Sequence, residues 1–252
     1  MDTGAMNVLA VIPARYGSTR FPAKALAEID GRTLIQWVWE GTREAKMIQR
    51  IIVATDHPEI EKECRRLGAE VAMTSEAHTS GTDRVAEAVG DLQADWILNV
   101  QGDEILIRGG ILDEFVAQLQ RLDVSVGMAT LARKITEKGE EKDSTIVKVV
   151  TDLQGKAMYF SRAVIPFCRD QDTEVDYWHH LGIYAYRPEV LKKLVNLPPS
   201  PLEKIEKLEQ LRALQNGIAI QVIATNFVSI GVDTPQDIER VRARLAINHQ
   251  PE

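Results

Sequence analysis

Four short segments carry residue types that could do phosphate chemistry. The first is Ala14–Lys24 (ARYGSTRFPAK), which packs three cations, Arg15, Arg20 and Lys24, into ten residues with Ser18, Thr19 and Gly17 between them. Triphosphates are held by compact positive charge and many donors, and this segment directly follows an apolar run, where a phosphate loop is expected. It is neither a GxxxxGK[ST] phosphate loop nor a GxGxxG dinucleotide loop. The second is Val100–Glu104 (VQGDE), again after an apolar run, with Asp103 placed to hold a divalent cation. The third is Ile230–Pro235 (IGVDTP). Its Asp233 could cap the helix that follows, could join Asp103 in a two-carboxylate magnesium site, or could do both. The fourth is His78–Arg84 (HTSGTDR), a hydroxyl-rich turn at a helix start; by itself it reads as an ordinary N-cap. There is no Ser/His/Asp nucleophile arrangement, so positioning and charge neutralisation are the expected catalysis.

These segments need elements to hold them. Apolar runs at Asn7–Pro13, Arg50–Ala54, Glu70–Met73 and Trp96–Val100 read as buried strands. Helical spacing marks Thr33–Ala45, Pro58–Leu67, Thr82–Gly90 and Ile111–Leu122. Alternating strand and helix predicts an α/β fold: a mostly parallel Rossmann-like sheet flanked by helices, with ligands at the carboxyl ends of the strands. The second half reads differently. Strands are expected at Ser125–Ala132, Thr145–Thr151, Ala157–Ser161 and Leu181–Tyr186, as an inserted antiparallel lobe. Helices follow at Pro188–Asn196 and Pro201–Gln215, then a strand at Ile218–Ala224 and a closing helix at Pro235–Leu245. With no repeat, low-complexity stretch or Gly/Ser linker, one domain is expected over residues 6–247, with the lobe embedded at roughly 125–190.

Bulk properties exclude other classes. The 252 residues are 44% hydrophobic and 27% charged, which argues against disorder. A net charge of −7 makes general nucleic-acid binding a poor reading. Cys64 and Cys168 form neither a CxxC pair nor a zinc spacing, which fits a reducing cytoplasm. No apolar run approaches a membrane span, and no signal-peptide pattern opens the chain; Met1–Ala5 (MDTGA) reads as an artificial leader before a native Met6.

Taken in order, IPARYGSTRFPAK, VATD (53–56), HTSGTDR, NVQGDE, VKVV (147–150), YFSRAVIP (159–166), HLGIYAYR (180–187), PPSPLEKIEKLEQLR (198–212) and GVDTPQDIERVR (231–242) make the chain resemble the 3-deoxy-D-manno-octulosonate cytidylyltransferase family. The segments span nearly the whole chain. Each is weakly specific and the ordered set is highly so. The resemblance implies a nucleotide-diphospho-sugar transferase-like fold with an antiparallel dimerisation lobe, a homodimer and dependence on magnesium. It implies transfer of CMP from CTP to the anomeric 2-hydroxyl of 3-deoxy-D-manno-octulosonate in the cytoplasm, for lipopolysaccharide biosynthesis.

Residue by residue, it assigns Arg15, Ser18, Arg20 and Lys24 to the triphosphate, and Ser80, Gly81, Arg84 and Gln101 to the base and ribose. It makes Asp103 and Asp233 the magnesium ligands, and Arg15, Lys24, Asp103 and Asp233 the catalytic set. It assigns Arg162, His180, Tyr184 or Tyr186, Glu209 and Gln210 to the sugar acid. From spacing alone, His179 and His180 are alternatives for the inward position, either tyrosine could be core, and Glu209 and Gln210 could simply face water. The chain departs from the family's common LPGKPL at Ala23 and Ala25, and from QGDEP at Ile105, so the first loop is expected to close differently. Rival readings are the same chemistry on 8-amino-octulosonate or a sialic acid, and a non-catalytic nucleotide-binding regulator.

Overall fold

The computed structural model describes residues 6–17, 21–170, 173–232 and 237–242. The chain divides into two compact units, 1–116 with 228–252, and 117–227.

The first unit is built on apolar strands. β1 is Val8–Ala14, buried except at Pro13. After it come a two-residue hairpin, β2 (Glu28–Ile29) and β3 (Arg32–Thr33), and helix α1 (Leu34–Arg43), whose first turn is capped by the Thr33 side chain accepting from Gln36 N. Strand β4 (Arg50–Thr55) leads to α2 (Pro58–Arg66), with Pro58 in the first turn where its missing N–H costs nothing. β5 is Glu70–Met73, α3 is Gly81–Val89, β6 is Trp96–Asn99 and α4 is Gly109–Leu119. The strands lie in the order β6-β1-β4-β5, all parallel, with Val8 beside Trp96, Leu9 beside Arg50 and Ile52 beside Glu70. Chain order runs outward from β1 through β4 to β5 and then returns to β6 on β1's other side. That reversal opens a crevice at the carboxyl ends of β1 and β6, which is where open α/β sheets bind ligands.

The second unit holds β7 (Met128–Lys134), β8 (Lys148–Thr151), β9 (Ala157–Ser161) and β10 (Trp178–Tyr186), then α5 (Pro188–Val195), α6 (Pro201–Glu206), α7 (Gln210–Gln215) and β11 (Gln221–Ala224). β7–β10, β10–β8 and β8–β9 are antiparallel and β11 joins β7 in parallel. The core includes Leu131, Val149, Phe160, Ile183, Tyr186, Leu194 and Leu211.

The expected single helix over 201–215 is two helices. Lys207 takes left-handed backbone (φ 56°, ψ 45°) and closes α6, and Leu208 turns into the core before α7 starts. The strand expected from 125 starts at Met128, after the turn Asp123–Val126. Among the described residues no helix is long and apolar enough to cross a membrane.

Candidate active site

At the carboxyl ends of β1 and β6 lies a cavity of about 250 Å³. Arg15, Lys24, Ser80, Gly81, Arg84, Gln101 and Asp103 all line it, so one pocket gathers every nucleotide-side residue named from sequence that is among the described residues. Ser18, Arg20 and Asp233 lie outside the described residues.

Backbone fit brings these groups together. A Cβ at Gly102 would sit 2.7 Å from the Pro13 carbonyl oxygen, so only glycine lets the QGDE turn lie against the end of β1. Ser80 caps α3, its Oγ accepting from Asp83 N at 3.1 Å, so the local N-cap reading and a place in the pocket wall are both true. Gln101 Nε2 donates to Asn99 Oδ1 at 3.0 Å, which leaves its carbonyl oxygen facing Gly81.

Ala23 stands in left-handed backbone (φ 53°, ψ 28°), the conformation a glycine adopts without strain. Its N–H donates to Tyr16 O at 3.1 Å and closes the first loop. The turn Lys24–Leu26 follows, and Lys24 Nζ donates to Asp103 Oδ2 at 2.7 Å. Arg15, exposed, stands at the other end of the loop.

Two acidic groups that sequence reading left without a role shape the electrostatics. Asp56, at the end of VATD, ion-pairs with Arg84 (Oδ2 to Nη2, 2.7 Å), and Arg84 also donates to Thr74 Oγ1. Arg84 is therefore a buried wall cation with two nitrogens committed within the protein. Glu104 is buried and accepts from Ser229; burial, and then the neighbouring Asp103 charge, push its carboxyl up to about 7. A motif can name these carboxylates, but only the fold shows their partners, 28 and 125 residues away in sequence.

Among the described residues no group of three or more His, Cys, Asp or Glu could hold a metal. Magnesium, however, is commonly bound by one or two carboxylates with substrate phosphate oxygens completing the shell. Asp103 in the cavity wall fits that donor set, hard oxygen in a phosphate-sized pocket beside a cation.

The sugar-side residues all fall in the second unit. Of the two histidines His180 is the buried one, at 7% exposure. Its ring meets Phe160 edge-on at 4.9 Å and Tyr184 at 5.4 Å, and Tyr184 stacks on Tyr186 at 5.9 Å, so both buried tyrosines are core and Tyr184 is also a neighbour of the histidine. Burial lowers the His180 pKa to about 3, so the ring is neutral at pH 7. Thr130 Oγ1 lies 2.8 Å from Ile183 O and 3.1 Å from Leu181 O, two carbonyls that compete for its one proton, and 3.1 Å from His180 Nε2. Nε2 must then carry the ring proton, leaving Nδ1 an acceptor.

Arg162 donates from Nε to Glu206 O (2.9 Å) and from Nη1 to Ser144 O (3.0 Å). Gln210 is buried, with no partner for Nε2 among the described residues, and Glu209 is half-buried at the start of α7. The reading in which both simply face water does not hold for Gln210: the break at Lys207 turns it inward.

Sequence reading also missed the groups that hold Arg162. Lys148, fully buried, donates to Asp143 O, Ile146 O and Arg162 O. The Glu206 carboxylate accepts from Ser161 Oγ and Arg162 N.

Known proteins match this chain over nearly its whole length. A protein of Syntrophotalea carbinolica named 3-deoxy-manno-octulosonate cytidylyltransferase is 48% identical, covering 95% of this chain and 99% of its own. One of the same name from Geobacter sulfurreducens is 45% identical, covering 95% and 100%. A solved structure of CMP:2-keto-3-deoxy-manno-octonic acid synthetase complexed with CTP is 39% identical, covers 96% of this chain and 99% of that one, and superposes with a TM-score of 0.90. The family model described as cytidylyltransferase matches residues 9–221, and with these full-length relatives it places the chain in the cytidylyltransferase family.

Proposed function

We propose that this protein transfers CMP from CTP to the anomeric 2-hydroxyl of 3-deoxy-D-manno-octulosonate and releases pyrophosphate. The observation that carries the reading is one pocket at the carboxyl ends of β1 and β6 that unites Arg15, Lys24, Ser80, Gln101 and Asp103. The full-length relatives named for this activity support the choice of sugar acid.

In this reading Arg15 and Lys24 bind the β- and γ-phosphates and neutralise the charge that grows on the leaving pyrophosphate. Ser18 and Arg20 extend that grip, while Ser80, Gly81 and Gln101 contact the base and ribose. Arg84 holds the pocket wall through Asp56 and Thr74. Asp103 and Asp233 would hold magnesium, which when bound draws charge from the phosphate oxygens.

Among the described residues Arg162 has Nη2 left for the sugar carboxylate, since Nε and Nη1 bond backbone carbonyls. His180, neutral with Nδ1 an acceptor, takes a sugar hydroxyl rather than pairing with the carboxylate. Gln210 Nε2 donates to a second hydroxyl, and Tyr184, Tyr186 and Glu209 complete that wall. A cytoplasmic homodimer supplying lipopolysaccharide assembly belongs to the same reading.

Pyrophosphate release with each of the four nucleoside triphosphates, with and without the sugar and magnesium, tests it. Release only with CTP, sugar and magnesium together is expected. Release with 8-amino-octulosonate or a sialic acid in its place would move the substrate, and nucleotide binding with silence throughout would favour a regulator.

A further inference from the structure

Tyr16 holds the start of the loop that carries Arg15 and Lys24. Tyr16 N donates to Asp56 Oδ1 at 3.1 Å, and Tyr16 O accepts from Ala23 N at 3.1 Å. Its ring lies on the His57 ring, centroids 3.6 Å apart and planes 12° from parallel. Backbone donor, backbone acceptor and side chain are thus all fixed within one residue of Arg15, while the loop's far end leads straight into Lys24.

The other Asp56 oxygen, Oδ2, takes Arg84 Nη2 at 2.7 Å. Arg84 carries the restraint on to Thr74 Oγ1, and Thr74 in turn donates its N–H to Thr55 O at 2.8 Å. One carboxylate, 12% exposed at its side chain, therefore ties together the loop after β1, the ends of β4 and β5, and the first turn of α3. A charged acceptor with two oxygens makes stronger, more directional bonds than a neutral one, so Asn cannot reproduce both contacts at equal strength.

We propose that Asp56 is a positioning residue of the nucleotide pocket, setting through Tyr16 and Arg84 the placement of the triphosphate loop. Asp56 is not among the residues that line the pocket and acts through those that hold its wall. This inference rests on the pocket's taking CTP, as proposed above.

The test compares CTP affinity by calorimetry, the KM for CTP and for the sugar, and melting temperature across Asp56→Asn, Arg84→Gln and the double variant. Asp56→Asn should weaken CTP binding and raise its KM about tenfold, with the sugar KM and kcat changed less than about twofold. The double variant should lose little more CTP affinity than the weaker binder of the two single variants, because both act through one ion pair. Asp56→Glu should recover part of the affinity that Asn loses.

A lowered melting temperature with unchanged CTP affinity would make Asp56 merely structural and overturn the proposal, as would additive losses in the double variant. An unaltered protein that binds CTP but turns over no sugar acid would sink the function proposed above, while the affinity comparison still decides Asp56. An unaltered protein that does not bind CTP would overturn both.

Discussion

Lys24 Nζ and Asp103 Oδ2 lie 2.7 Å apart, joining the two loops that sequence alone marked as phosphate-binding and metal-binding. Their side chains are 20% and 27% exposed, so the pair is open enough to be worth little in stability, about 1 kcal/mol at most. Its value is placement: it holds a cation and a hard-oxygen donor side by side where a triphosphate would bring its own charge.

Asp103→Asn should cut turnover about 100-fold or more while leaving the melting temperature nearly unchanged, because an amide keeps the shape and loses the charge. Lys24→Met should also lower turnover, through the leaving pyrophosphate. Pyrophosphate release and thermal melting on the same samples check both. Near-normal turnover in Asp103→Asn would remove that residue from the reaction.

Ala23 holds left-handed backbone, which costs an L-residue about 1–2 kcal/mol. Ala23→Gly relieves that cost but frees the unfolded chain by about 0.4–1 kcal/mol. The variant should therefore melt at the same temperature or a few degrees higher, since about 1 kcal/mol moves a chain of this size by about 2–4 °C. Ala23→Val, with a branched Cβ in the same conformation, should melt lower and bind CTP more weakly, since Ala23 N closes the loop onto Tyr16. A higher melting temperature for Val than for Gly would contradict the backbone assignment.

The parallel half of the fold was legible because its strands are buried on both faces and read as unbroken apolar runs, as Val8–Ile12 and Trp96–Leu98 do. The pocket was legible because its residues sit in the loops immediately after those runs. What escaped was non-local or conformational. Lys207 ends α6 by a backbone choice that a lysine does not advertise. Asp56 and Glu104 gain their meaning from Arg84 and Ser229, which only folding brings near. The choice of His180 over His179 follows from the register of β10, whose bulge between Leu181 and Tyr184 breaks simple alternation.

Lys148 donates to three backbone carbonyls, one of them that of Arg162, from a fully buried position. Lys148→Met fills similar volume but strands three acceptors without a donor. It should cost about 2–4 kcal/mol, read as a lower urea midpoint with an unchanged slope. Through Arg162 it should also raise the KM for the sugar acid more than that for CTP. Equal rises in both would argue against a local role at Arg162.

His180 is held neutral with a pKa lowered to about 3 against an ordinary 6.5, by burial first and then by the neighbouring His179. A depressed folded pKa means the unfolded chain binds the extra proton first. The stability involved is whole above about pH 6.5 and is lost as pH falls toward 3, by about 1.4 kcal/mol per pH unit. From pH 7 to pH 5 that amounts to about 2 kcal/mol. His179, lowered to about 4 by burial first and then by Arg133 and Lys148, loses stability over the same range; Glu104 works the other way, since its carboxyl is raised to about 7 and its contribution grows as pH falls, so the net curve of the unaltered protein mixes these groups. Comparison with His180→Gln cancels Glu104 and every other shared group. Glutamine can still bond Thr130 but does not titrate, so the variant's stability should fall less between pH 7 and pH 5, by about 2 kcal/mol, whatever its stability at pH 7. Urea unfolding of both proteins at the two pH values measures the difference. Equal losses would mean that His180 takes up its proton as readily folded as unfolded, and that the neutral hydroxyl-binding role given to its Nδ1 is wrong.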